Sequence, residues 1–187
     1  MLIPAHIQEV ERKATRLFTK EDIELGLDTI AKAISNKLSE SNPIVLCVMI
    51  GGLIPAGNLL PRLDFPLELD YIHATRYSNE TVGQSEIQWV AKPRVSLKGR
   101  NVLIIEDILD GGFTLAAIVD YCQEQGARAV YTAVLLNKQK AKRLPGGTRS
   151  VDFTAITMDD GFVFGYGMDY NGYLRNAPGI YVVAPEH

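Results

Sequence analysis

Three apolar runs of strand length constrain this chain more than anything else in it. They are "PIVLCVMI" (Pro43 to Ile50), "VLIIEDI" (Val102 to Ile108) and "AVYTAVLL" (Ala129 to Leu136). None alternates apolar with polar residues, so each reads as a strand covered on both faces. "LELDYIHATRY" (Leu67 to Tyr77) reads as a further strand, and "TLAAIVDYCQEQGA" is a helical stretch closing on Gly126. Strand, helix, strand, helix, strand predicts an α/β fold with a doubly wound, mostly parallel sheet. Upstream, Ile23, Leu27, Ile30 and Ile34 recur at helical spacing, and Thr19 with Asp22 resembles a capping box. "LIPAGNLLPRL" reads as a helix interrupted at Pro61.

At 187 residues the chain is expected to form one domain, with room for a small subdomain. Its net charge of −3 gives no general attraction to nucleic acid, so no nucleic-acid partner is expected. The N-terminal stretch turns charged by Glu9, too early for a signal peptide, and no apolar run approaches the roughly 18 residues of a spanning helix. Cys47 and Cys122 both sit in apolar patterns and read as buried thiols. A cytoplasmic protein without a membrane partner is the expectation. His6, His73 and His187 show no metal spacing, and His73 reads as a packed strand residue. The polar stretch from Ser78 to Arg100 has weak strand character near Ile87 to Val90. Loops of that length commonly serve as lids, and the expected lid runs from Arg76 to about Val90. Trp89 is expected near a subunit contact.

The chemistry concentrates in "NVLIIEDILDGGFTL" (Asn101 to Leu115). An apolar strand ends on Glu106 and Asp107; Asp110, Gly111, Gly112, Phe113 and Thr114 then turn into a helix. Ligands of open α/β sheets bind beyond the carboxyl ends of the strands, where strand order reverses. The two glycines let the backbone curl so that N–H groups point into one hollow, and the helix adds its positive end. Thr114 offers a hydroxyl. Paired acids beside such a phosphate cradle suit ribose hydroxyls or hydrated Mg²⁺. Neither a Walker loop nor a Rossmann fingerprint is present.

Four apolar residues, two acids, two apolar residues, an Asp and a small-residue turn ending in Thr resemble the phosphoribosyl pyrophosphate (PRPP) motif of type I phosphoribosyltransferases. "VLCVMIGGLIPAGNLL" is similar to the pyrophosphate-loop region of the hypoxanthine-guanine members, "LLNK" to a strand ending in a purine-reading Lys, and "GFVFGYGMDYNGYLRN" to their base-binding segment. The resemblance runs from about Pro43 to Val183. It implies the type I fold, with a core at about 40–150 and a small hood from about 1–20 and 151–187. It implies transfer of ribose 5-phosphate from PRPP to hypoxanthine or guanine, giving IMP or GMP and pyrophosphate with Mg²⁺ as cofactor; the alternatives are a xanthine-preferring enzyme of the same fold and a non-catalytic regulator that senses PRPP or nucleotide. A homo-oligomer, dimer or tetramer, is also expected.

Carried over by position, the resemblance makes Asp110 the proton acceptor or relay at the purine. Glu106 and Asp107 hold the ribose hydroxyls and join Asp169 as metal-binding acids. The backbone of Asp110 to Thr114 takes the 5′-phosphate. Lys138 donates to the 6-oxo group, Phe162 stacks on the base and the Val163 backbone reads its edge. Arg175 contacts pyrophosphate, and Ile50, Gly51 and Gly52 line the pyrophosphate loop, where the family often has a cis peptide. A Lys ammonium donates and never accepts, which opposes adenine's amino group. The chain departs from the family pattern at Ile50, where many members carry Lys, and at Gly111 and Phe113, where many carry Thr and Lys. It also has Arg76-Tyr77 in place of a Ser-Tyr pair, with Arg76 a candidate for the charge absent at Ile50.

Overall fold

The apolar runs pair as the pattern demands. The computed structural model describes residues 3–78, 85–142, 146–148 and 150–184, apart from the side chains of residues 76–78, 85 and 86. In chain order the elements are α1 (Ala5–Lys13), β1 (Thr15–Phe18), α2 (Lys20–Leu38), β2 (Ile44–Val48) and α3 (Leu53–Leu59). They continue as β3 (Glu68–Ser78), β4 (Ser85–Ala91), β5 (Asn101–Leu109), α4 (Phe113–Glu124), β6 (Ala129–Lys138), β7 (Phe153–Met158), β8 (Val163–Phe164) and β9 (Ile180–Val182). A six-stranded sheet has the order β4-β3-β2-β5-β6-β7, and a three-stranded sheet the order β1-β9-β8. All neighbours in the large sheet are parallel except β3 and β4.

Strand alternation assigns the two faces of the large sheet. Val45, Cys47, Leu103, Ile105, Ala133 and Leu135 pack with Ile23, Leu27, Ile30 and Ile34 of α2 and with Ala56 and Leu59 of α3. Ile44, Leu46, Val48, Val102, Ile104 and Val134 pack with Leu115, Ile118 and Cys122 of α4. Each strand therefore buries both faces, which is why its sequence shows no polar alternation. Each fully buried aliphatic side chain contributes about 1.5–3 kcal/mol. Helix α2 starts at the expected capping box: the Asp22 N–H donates to Thr19 Oγ1, and the Thr19 N–H to Asp22 Oδ2. The helix after β2 gives way at Leu60 to a 3-10 turn containing Pro61, as the sequence indicated.

The structure departs from expectation in two places. The polar stretch after β3 is not a plain loop: β3 continues to Ser78 and returns antiparallel as β4, with Thr75 opposite Gln88. Residues 79–84 and the Arg76 side chain lie outside the described residues, so the expected lid and the compensating charge fall largely there. Trp89 is partly buried within its own chain. It packs on Tyr121 of α4 with ring centroids 5.1 Å apart, and the Lys92 ammonium lies 4.9 Å from the Tyr121 ring. Finally β7, within the stretch expected to belong to the small subdomain, pairs with β6 in the large sheet.

Chain order sets the functional end of the sheet. From β2 the chain moves outward to β3 and β4, then returns to place β5 on the other side of β2. Strand order reverses between β2 and β5, so a crevice opens beyond their carboxyl ends. Met49 to Gly52 leave β2 there, and Asp110 to Thr114 follow β5, whose carboxyl-terminal end carries Glu106 and Asp107.

Candidate active site

The β5–α4 turn forms one wall of the site. Gly112 caps α4 at φ +75°, a conformation that glycine adopts without steric cost. Glu106, Ile108, Asp110, Gly111, Gly112, Phe113, Thr114 and Leu115 line a cleft of about 280 Å³ at this helix start. The first helical N–H groups lack intrahelical acceptors, so they and the helix dipole favour an anion in the cleft. A larger cleft of about 770 Å³ lies at the other end of the sheet, beside Asn101 and Ala129 at the starts of β5 and β6. It borders none of the acid–glycine turn.

The pleat separates the adjacent acids. Glu106 lines the cleft at the start of α4, whereas Asp107 turns to the loop after β2. A Cβ at Gly51 would lie 1.9 Å from Asp107 Oδ2, so glycine there makes room for the carboxylate. The peptide between Met49 and Ile50 is cis, in the loop where the resemblance implied one. Ile50 itself is half exposed. Burial, reinforced by the neighbouring Asp107, pushes the Glu106 carboxyl well above the usual range. Burial pushes Asp107 up to about 6, opposed by the Arg175 guanidinium. Groups that restore the charged forms of these acids are cations or hydroxyl donors.

The opposite wall comes from the segment between β8 and β9. Arg175 Nη2 lies 2.6 Å from Asp169 Oδ1, and its Nη1 donates to the Gly167 carbonyl and lies 3.9 Å from Asp107 Oδ2. Asp169 Oδ2 also accepts the Gly172 N–H. Arg175 thus joins Asp107 and Asp169, two of the three acids that the resemblance assigned to metal, and it is itself the expected diphosphate contact. Gly167, at φ +114°, leaves no space for a side chain against the Gly51 carbonyl, so the two loops meet backbone to backbone.

Lys138 ends β6 almost fully buried, and its Nζ lies 2.8 Å from Asp110 Oδ2. The expected proton acceptor and the expected base-reading cation therefore touch. Phe162 is 58% exposed, with Tyr170 edge-on to it at 5.7 Å. An aromatic ring held open in this way offers a stacking face. The Val183 N–H donates to the Phe162 carbonyl, and Val163 pairs with Val182 across β8 and β9. By the alternation of an antiparallel ladder, Val163 is the non-hydrogen-bonded partner, and its N–H and C=O face the open edge.

One supporting cluster was not legible in the sequence. Tyr166, at φ +49°, donates its hydroxyl to Glu24 Oε1 at 2.8 Å, and Arg62 bridges Glu24 and Asp28. This ties the β8–β9 segment to α2, over a separation in sequence that no local pattern signals. Its only visible sign was the density of Gly and Tyr in that segment.

The match to known proteins agrees with this geometry. The family model described as the phosphoribosyl transferase domain covers residues 13–171. The hypoxanthine-guanine phosphoribosyltransferase of Bacillus subtilis (strain 168) is 30% identical over 169 residues, covering 90% of this chain and 92% of that protein. The hypoxanthine-guanine-xanthine phosphoribosyltransferase of Tritrichomonas foetus is 28% identical over 167 residues, covering 88% of each. The crystal structure of a hypoxanthine phosphoribosyltransferase from Staphylococcus aureus superposes with a TM-score of 0.86 at 25% identity, covering 100% of this chain and 98% of the other. An acid-ended strand, a glycine turn at the switch point and these matches lead to one conclusion: the chain belongs to the phosphoribosyltransferase family.

Proposed function

We propose that this chain transfers ribose 5-phosphate from PRPP to hypoxanthine or guanine, forming IMP or GMP and releasing pyrophosphate. The observation that carries this reading is the contact between Asp110, on the anion-receiving turn, and the buried Lys138 at 2.8 Å. An ammonium and a carboxylate side by side at one end of an anion-receiving cleft support a 6-oxo donor next to a proton acceptor.

In this reading the N–H groups of Gly111 to Thr114 and the Thr114 hydroxyl take the 5′-phosphate. Glu106 and Asp107 orient the ribose hydroxyls. Arg175 and the backbone of Ile50 to Gly52 hold the diphosphate, with Arg175 released in part from Asp169. The base lies on Phe162, its edge toward the Val163 backbone and its 6-oxo group toward Lys138. As the bond to diphosphate breaks, the anomeric carbon becomes electron-poor, as in glycoside cleavage. The base nitrogen attacks it in line, and much of the rate comes from positioning. Asp110 accepts the proton that the base gives up, and Lys138 stabilises the 6-oxo group throughout.

Among the described residues no three His, Cys, Asp or Glu side chains converge as a closed metal site. The donors present still fit Mg²⁺. It keeps several waters and is commonly held by one or two carboxylates together with substrate phosphates. Glu106 and Asp107 on one wall and Asp169 on the other are oxygen donors of that kind. When bound, magnesium supplies the positive charge that neutralises the departing diphosphate.

Among the described residues no helix is long and apolar enough to cross a membrane, and both cysteines are buried thiols, in keeping with a cytoplasmic setting. Ile50, Leu53, Leu69 and Tyr71 are exposed apolar residues beside α3 and suit a homo-oligomeric contact. One domain, with the three-stranded sheet as its hood, completes the reading.

The test is to mix the protein with PRPP and Mg²⁺ and each of hypoxanthine, guanine, xanthine and adenine, following nucleotide formation by absorbance. Turnover of hypoxanthine or guanine supports the reading, and xanthine-dominated turnover corrects the base. No turnover with any base, beside measurable PRPP binding, rejects catalysis in favour of a sensor.

A further inference from the structure

Residues 146–148, between β6 and β7, lie across the phosphate turn. The Thr148 N–H donates to the Gly112 carbonyl at 3.1 Å, and that carbonyl also accepts the first helical bond of α4 from the Ala116 N–H at 3.0 Å. A Cβ at Gly112 would lie 2.4 Å from the Thr148 carbonyl oxygen, so the two backbones are in direct contact. Next to it, Gly146, at φ +76°, faces the Phe113 ring, with 3.9 Å between its Cβ position and Phe113 Cε2. The far end of the connection is anchored. Val151 packs on the α4-side core, and Asp152 accepts both the N–H and the hydroxyl of Thr132 in β6.

In a trans peptide the C=O and the following N–H point in opposite directions. Two donors holding the Gly112 carbonyl therefore fix where the Phe113 N–H points, which is toward the anion side of the helix start. We infer that Thr148 is a positioning residue: through its backbone it straps the β5–α4 turn into the shape that receives the 5′-phosphate. Phe113 gives the strap a surface to rest on. This inference rests on the proposed PRPP reaction.

The experiment compares wild type, Thr148→Pro, which removes the N–H, and Thr148→Ala, which keeps it. Loss of one backbone hydrogen bond is expected to raise the KM for PRPP by about two- to tenfold in Thr148→Pro. Its kcat and its KM for hypoxanthine at saturating PRPP are expected within about twofold of wild type, and Thr148→Ala, which gives up only the hydroxyl's hydrogen bond to the Ser150 carbonyl, is expected to raise the PRPP KM less than Thr148→Pro does. An unchanged PRPP KM in Thr148→Pro overturns the strap, and so do equal effects of Pro and Ala. A KM for hypoxanthine that moves as far as that for PRPP overturns it as well. Should Thr148→Pro fail to fold, amide hydrogen exchange on wild type decides. Added PRPP with Mg²⁺ is expected to protect residues 146–148 together with 112–114, and absence of protection at 146–148 overturns the inference. A wild type that neither binds nor turns over PRPP refutes the underlying reaction instead.

Discussion

Replacing Gly51 by Ala tests the packing of the site most sharply. The new methyl group would sit 1.9 Å from Asp107 Oδ2 and 2.4 Å from its Cγ. Ordinary contact needs roughly 3.4 Å or more, so the carboxylate must retreat by about 1.5 Å or the loop must lift. Retreat is opposed because Asp107 is buried with Arg175 beside it. Overpacking of this kind costs about 1–3 kcal/mol, and in a chain of this length that lowers Tm by roughly 2–10 °C. If Asp107 holds ribose or a hydrated cation, losing that charge-assisted contact costs a further ~1.5–3 kcal/mol of transition-state binding. That corresponds to a fall in kcat/KM for PRPP of about 10- to 150-fold. Steady-state kinetics with PRPP varied at saturating hypoxanthine gives the number. A double-mutant cycle with Asp107→Ser assigns it, since the penalty of Gly51→Ala should shrink once the carboxylate is shortened. A Gly51→Ala protein within twofold of wild type in PRPP kinetics, with unchanged Tm, would refute this packing argument.

Other expectations can be checked with the same protein. Lys138→Gln is expected to raise the KM for hypoxanthine by about 10- to 150-fold, from the loss of a charged donor, while PRPP kinetics move far less. Phe162→Ala removes an exposed stacking face; base affinity should fall by about 1–3 kcal/mol, with little change in thermal melting. Tyr166→Phe removes the hydroxyl donor to Glu24 and should destabilise the fold by about 1–2 kcal/mol at neutral pH. The Tyr166 hydrogen bond is the chief cause holding the Glu24 carboxyl below its ordinary value, with Arg62 assisting. A depressed folded value gives stability that is complete above the unfolded value of about 4.3 and lost as pH falls through the folded one. The melting difference between wild type and Tyr166→Phe should therefore narrow as the pH is lowered below about 4. Chelation of divalent cations should abolish nucleotide formation, and added Mg²⁺ should restore it.

The sequence made the sheet legible because its strands are buried on both faces. Ile44–Val48 and Val102–Ile105 are unbroken apolar runs, and both pack between helix layers. The capping box at Thr19 and Asp22 and the helix stop at Gly126 are local chemistry and were readable for that reason. Strand β4 was harder: it lies at the sheet edge, alternates Ile87 and Trp89 with exposed Gln88 and Val90, and carries a weaker apolar signal. Trp89 packs on its own chain because the pairing of Ala74 with Trp89 turns the indole toward α4. At the site, the acid–glycine turn announced itself through residue types and spacing. The opposite directions of Glu106 and Asp107, the Arg175–Asp169 ion pair and the Tyr166–Glu24 tie depend on contacts across the fold. No short window of sequence contains them.

The most direct test is a crystal structure of the protein soaked with IMP. The expected result places the phosphate against the N–H groups of residues 111–114. The ribose hydroxyls meet Glu106 and Asp107, and the base lies on Phe162 with its 6-oxo group at the Lys138 ammonium. A nucleotide bound elsewhere, such as in the cleft beside Asn101 and Ala129, or with its base away from Phe162 and Lys138, would contradict the account.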